Sequence, residues 1–380
     1  MPKPIAANDI PELTGLRILA ALCVVVSHLH GLEVVSAQYV HDMLDGGRPA
    51  VAFFFVLSGF IMNHKYPLLV AGDTAATRRY AFSRFARLYP TLIFSLCMAA
   101  PIVIYLMTTQ AHEQLLKFYA IKDHHASWLS ASGVAQLLGV TGWLPAAALN
   151  QPWNGPAWSL SCEFFFYAMF PFLRPLLQRQ SSRMIISAML VAWLLQGIWI
   201  MALHAFVPAN RSSFLVYQFP LTHLFEFMAG ISAGILIGRL DRRQLCMLGG
   251  ATLLLAALVL AAISISGIFM PASYGLTPVF AVLIVAVVWS SGSPWLAPLR
   301  NRVVVALGHS SYALYIVHAP LLVGATLLGI AVPLGWLWLP LSMLASLAIH
   351  YWYAEPVRRW LVRRAFPRAH APSPLVKAVS

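Results

Sequence analysis

The sequence predicts an all-α polytopic membrane protein, about ten transmembrane helices in one bundle with both termini in the cytoplasm. Three observations lead there. Hydrophobic residues fill 60% of the 380 positions and charged residues 10%, with a mean hydropathy of +0.75, too little polar surface to coat a soluble globule. Apolar runs of about 20 residues, the length that crosses a bilayer core, recur along the chain. Lysine and arginine then gather in every second connection, as the positive-inside rule requires.

In order, the runs are 13–32, 48–68, 82–107, 157–177, 184–205, 214–237, 245–264, 273–291, 302–329 and 333–357. The first sets Arg17 near one membrane face and His28 towards the other, roughly 16 Å apart at a helical rise of about 1.5 Å per residue. The second carries Phe53 to Phe60, with Ser58 and Gly59 as small residues at a helix contact. The third opens on Arg84-Phe85-Ala86-Arg87-Leu88-Tyr89-Pro90, whose two arginines share one helical face. The longest connection, 108–156, falls outside. It holds an apolar piece, Trp128 to Val140, too short to span and therefore re-entrant or interfacial. The fourth run begins Trp158-Ser159-Leu160-Ser161-Cys162-Glu163 and continues into aromatics. Glu226 follows His223 in the sixth and serves either catalysis or packing; His318 lies in the ninth; Glu355 ends the last and is expected to pair with an arginine of the inner face.

With the N-terminus inside, every basic loop residue except Arg48, Lys117, Lys122 and Arg211 is cytoplasmic. That asymmetry and anionic lipid headgroups account for the net charge of +13, so no nucleic acid is expected as a partner. Residues 1–366 read as one membrane domain and 367–380 as a disordered cytoplasmic tail. Met1 to Glu12 shows no small-residue cleavage site, and no signal peptide is expected. Cys23, Cys97, Cys162 and Cys246 lie in apolar runs without paired spacing, which indicates neither a disulfide framework nor a metal site.

Ionisable side chains inside a bilayer are costly and usually functional. Counted from the span ends, His28, Glu163 and His318 all fall in the outer half although they sit on three helices, which points to one site. The competing reading makes each a satisfied hydrogen-bonding residue between helices. At the inner face, Arg84 and Arg87 form a phosphate clamp at a helix start, where the dipole also favours anions; the alternative is an ordinary positive flank. Ser58 lacks the flanking glycine of a nucleophile elbow, and Cys162 beside an acid is a poor nucleophile.

Six motifs occur in order: Arg17 ten residues before His28; Phe53 to Phe60 with Ser58-Gly59; Arg84-x-x-Arg87-Leu88-x-Pro90; Trp158 to Glu163; Gly308-His309-Ser310-Ser311-Tyr312 through Tyr315 to His318 and Pro320; and Glu355-Pro356 with Arg358 and Arg359. Together they resemble the bacterial membrane acyltransferase family 3, whose members O-acylate exopolysaccharide, lipopolysaccharide and related glycans. His309 departs from the basic or small residue expected there.

The resemblance implies transfer of an acyl group, most simply acetyl, from cytoplasmic acetyl-CoA to a hydroxyl of a glycan or lipid-linked glycan in the bacterial inner membrane. No metal is implied. Arg84, Arg87 and Arg17 would hold the acyl-CoA phosphates, His28 would act as general base, and Glu163 would orient its ring. Ser310, Ser311, Tyr312, Tyr315, His318, Trp158 and Ser161 would line the pocket. Some members carry a C-terminal esterase-like domain; none follows the last span before Ser380, so a stand-alone enzyme, or one served by a separate partner, is expected. A secondary transporter would show an internal repeat, which the chain lacks. A non-catalytic assembly subunit would have no need for these arginines, His28 and Glu163 together.

Overall fold

The computed structural model describes residues 10–31, 33–35, 47–109, 111–266 and 271–367. The expected tail lies outside the described residues from position 368 onward. The expected spans are built mainly of helix, because in hydrocarbon each backbone N–H and C=O must find its partner within its own segment. The helices are α1 (Pro11–Gly31), α2 (Arg48–Lys65), α3 (Thr74–Thr108), α4 (Trp158–Arg179) and α5 (Ser182–Phe206). There follow α6 (Leu224–Leu236), α7 (Arg242–Ser266), α8 (Ala272–Trp289) and α9 (Arg302–Leu327). Last come α10 (Trp338–Ile349), a π-helical turn (His350–Ala354) and α11 (Glu355–Ala365).

Ten uninterrupted crossings are not what the chain forms. Among the described residues 7 helical runs are long and apolar enough to cross alone, or 8 if α8 counts together with the stretch Pro294–Arg300, to which it bends by 104°. The expected span 214–237 is broken: a helix ends at Tyr217, a turn containing Pro220 follows, and α6 begins at Leu224. Proline cannot donate to a helical ladder. The 13 residues of α6 reach about 20 Å, short of the roughly 30 Å core, and α2 has 18 residues. α3 departs the other way. Its 35 residues extend about 52 Å, starting at Asp73, whose carboxylate accepts the Ala76 N–H at 2.9 Å. Arg78 and Arg79 are exposed on this extension. Between α3 and α4, two helices, His112–Tyr119 and His125–Leu138, replace the single short piece expected there.

The centre is set by glycine. A methyl group on Gly59 of α2 would overlap the Phe227 carbonyl of α6, and one on Gly230 of α6 would overlap the Val56 carbonyl. Gly308 of α9 meets the Thr14 carbonyl of α1 in the same way. Such close backbone approach is how helices pack tightly without a hydrophobic drive between them. Buried Glu12 ties the start of α1 to the bend after α8, accepting from Ser291 and from the Gly292 N–H at 3.0 Å each. Gly59→Leu is expected to lower the thermal midpoint of the detergent-purified protein sharply, by overpacking. Gly250→Leu, where nothing lies within 4 Å of an added Cβ, should leave it unchanged; equal effects would show that the α2–α6 contact is not tight.

Candidate active site

Three neighbouring cavities share wall residues. A basic chamber of about 430 Å³ includes Lys65, Arg84, Arg358 and Arg359. A central chamber of about 90 Å³ includes Ser58, Glu163 and Tyr167. A far chamber of about 330 Å³ includes His28, Trp158 and Asn150. Arg17, Arg87 and Tyr312 border both the basic and the central chamber; Val51 and Tyr315 border both the central and the far one. α1 thus contributes Arg17 at one end of the series and His28 at the other.

In the basic chamber, Arg84 is held rather than free to swing. Its side chain donates to the Tyr66 hydroxyl at 2.9 Å and its guanidinium sits 5.2 Å from that ring's centroid. Its buried Nε has no hydrogen-bond partner. Glu355 is the one carboxylate among the chamber's lining residues. It accepts from Arg358 at 2.6 and 2.7 Å and from Arg359 at 2.7 Å; its arginine partners are therefore on its own helix, one turn on, and not the Arg84–Arg87 pair. The π-helical turn puts His350, Tyr351 and Ala354 on the same wall, and His309 lines it as well. A π-turn inserts one residue into the helical register and often marks functional positions.

The central chamber holds Glu163. Its Oε2 accepts the Ser58 hydroxyl at 3.4 Å, and Tyr167, Arg87 and Arg17 line the same chamber. It does not share a chamber with His28, so the expected role of orienting the imidazole is withdrawn. Glu163→Gln should keep the Ser58 contact yet leave two guanidiniums less compensated in a narrow apolar space. A lowered thermal midpoint, measured by calorimetry in detergent, is the expected result; an unchanged midpoint would remove the charge-balancing role.

The far chamber holds His28. Its Nδ1 lies 2.8 Å from the Val24 carbonyl. A carbonyl only accepts, so Nδ1 carries the hydrogen of this contact. His318 meets it edge to face, with ring centroids 4.9 Å apart. That ring repeats the pattern, Nδ1 at 3.2 Å from the Leu314 carbonyl and a buried Nε2 without a partner. Two histidines expected at one depth are indeed together; the glutamate is elsewhere.

Of the expected lining residues, Ser311 borders the central chamber, Tyr312 and Tyr315 the shared walls, and Trp158 the far chamber. The Tyr312 hydroxyl donates to Leu88 at 2.8 Å and that of Tyr315 to Pro156 at 3.2 Å, which fixes both rings. Ser310, Ser161 and His318 line none of these chambers. Ser310 turns to Leu307 and Ser346, bracing α9 against α10, while Ser161 accepts the Gly142 N–H at 3.0 Å. Glu226 is buried with His223 at 3.3 Å and Gln196, a packed network behind Trp158, whose ring lies 5.7 Å from that of His223. Cys162 is buried, its thiol directed at the Gln218 carbonyl. Sequence reasoning missed Ser58 as a partner of Glu163 and missed Lys65, Asn150 and Gln218 as lining residues. Single polar residues near helix ends carry no spacing signal that would have singled them out.

The family model described as an acyltransferase domain, acyltransferase family 3, matches residues 10–355. The chain belongs to acyltransferase family 3. Within that family it is similar to the acyltransferase MdmB of Streptomyces mycarofaciens, 29% identical over 96% of this chain and 95% of that one. It is 26% identical to the peptidoglycan O-acetyltransferase OatA of Listeria monocytogenes over 58% of this chain and 33% of that protein. Nodulation protein 10 of Rhizobium leguminosarum is 27% identical over 53% of each chain. No solved structure matches the chain. The family-3 chain is thus a multi-pass membrane acyltransferase.

Proposed function

We propose that this family-3 acyltransferase takes an acyl group, most simply acetyl, from acyl-CoA at its basic end and passes it to a hydroxyl of a glycan or lipid-linked glycan at the far end. The bacterial inner membrane is its site, with the basic end in the cytoplasm. One observation supports the reading: the cationic chamber and the chamber of His28 each share wall residues with the same central chamber. Arg84, Arg87 and Lys65 suit phosphates, which accept charge-assisted hydrogen bonds from guanidinium and ammonium groups. The narrow central chamber suits a thin, flexible arm. At the far end His28 Nε2 takes the proton of the acceptor hydroxyl as its oxygen forms the new ester bond; the thioester C–S bond breaks, and the departing thiol takes that proton. OatA, named for O-acetylating peptidoglycan, supports a glycan acceptor.

Sealed vesicles of known orientation test this. Label from radioactive acetyl-CoA should reach glycan when the donor is supplied on the side of the basic chamber, and not when it is confined to the other side. Equal transfer from both sides would overturn the reading.

A further inference from the structure

We propose that Asn150 and Gln218 are the residues that select the acceptor, their amide oxygens receiving hydrogen bonds from two hydroxyls of one sugar ring lying beside Trp158 in the far chamber. The inference rests on the reading that this chamber receives the acceptor, and it adds which groups recognise it.

Asn150 is 3% exposed. Its Nδ2 donates to the Leu144 carbonyl at 3.2 Å, which fixes which end of the amide is oxygen, and that Oδ1 accepts no hydrogen bond. The buried Oε1 of Gln218 accepts none either. Both residues line the far chamber with His28. Buried polar atoms are nearly always hydrogen-bonded, and the exceptions need a reason. Two unfilled acceptors on residues that line one cavity call for a ligand that brings donors. An acyl thioester group has none to give, whereas a sugar brings several hydroxyls at fixed spacing. A simple alcohol could fill one acceptor but not both.

The remaining walls agree. Arg48 covers the Tyr217 ring, 3.6 Å from its centroid, so that face is already taken. Trp158 is backed by His223 and Phe55 and offers the chamber a rigid aromatic edge. The segment carrying Asn150 is pinned before any ligand arrives. Gln136 donates to the carbonyls of Pro152 at 2.9 Å and Asn154 at 3.0 Å, and Asn154 reaches Ser95 and the Ile316 carbonyl at 2.9 Å each. Acceptors held this way discriminate strongly, because a ligand lacking the matching donor leaves them unpaired.

The test uses the full chain in its own bacterium, with alkali-released O-acyl groups of the surface glycan as readout, normalised to acetyl-CoA binding sites measured on the same purified variant. Gln218→Met, which keeps the length and removes the acceptor, should cut acyl content about 10–100-fold while leaving acetyl-CoA affinity and thermal midpoint at the parent values. Gln218→Glu keeps an acceptor oxygen and should recover a large part of that loss. Asn150→Leu should behave like Gln218→Met. Parent-level acylation in Gln218→Met, or equal losses in Gln218→Met and Gln218→Glu, would overturn the proposal, since space filling alone would then explain the site. A parent chain that binds no acetyl-CoA, or whose deletion leaves glycan acylation intact, would instead bring down the donor or acceptor reading on which it rests.

Discussion

His28→Ala is expected to lower acyl transfer by at least ~10²–10⁴-fold, the range typical of a positioned general base, while acetyl-CoA binding and the yield of folded protein stay near the parent values. The separation follows from geometry. His28 borders the far chamber, whereas Arg17, Arg84 and Arg87 border the basic one, about 16 Å away along α1. Its backbone hydrogen bond, to Val24, lies within its own helix. His28→Gln, which can still donate to that carbonyl but cannot accept a proton, should be as inactive as alanine. Both quantities can be read on the same detergent-purified variants, binding by equilibrium dialysis and transfer by radiolabel. Parent-level turnover would end the general-base role, and a joint fall in folded protein, binding and transfer would make the ring structural.

Arg84→Ala with Arg87→Ala should weaken acetyl-CoA binding the most of any basic pair, since charge-assisted phosphate contacts contribute roughly 1.5–3 kcal/mol each. The two single variants should differ. Arg84 also donates to Tyr66 and lies 3.8 Å from the Met62 sulfur, so its loss should lower the thermal midpoint as well as affinity. Arg87 borders both the basic and the central chamber and should affect affinity more selectively. Lysine at either position should restore only part of the binding, because it lacks the planar fork. A double-alanine protein that binds acetyl-CoA like the parent would move the phosphate site elsewhere, with Lys65, Arg358 and Arg359 as the next residues to replace.

Arg17, Arg84, Arg87 and His28 were legible because their signals are local: two arginines at one helical face, and an imidazole a fixed rise from a guanidinium. Glu163 was expected beside His28, whose chamber it does not share, because its depth was counted from the end of its run. The chain enters α4 through the short turn Gly155–Ala157, and neither the offset nor the tilt of a helix is written in its apolar run. Ser310 and Ser311 show the second limit. They are neighbours, yet successive residues point about 100° apart on a helix, and only the packing of α9 against α10 decided that Ser310 meets Ser346 while Ser311 faces the central chamber.

The sequence by itself determined a helical membrane protein with a marked asymmetry of charge and an ordered set of acyltransferase motifs. Those properties are one-dimensional: a bilayer requires each segment to satisfy its own backbone, so apolar length and flanking charge suffice to reveal them. Only the tertiary structure decided that α2 and α6 cross backbone to backbone, that His28 meets His318 and Glu163 meets Ser58, and that Asn150 and Gln218 face the imidazole's chamber. Lipid is as apolar as a packed side chain, so helix rotation and offset are set by close contacts between helices, which no single segment specifies.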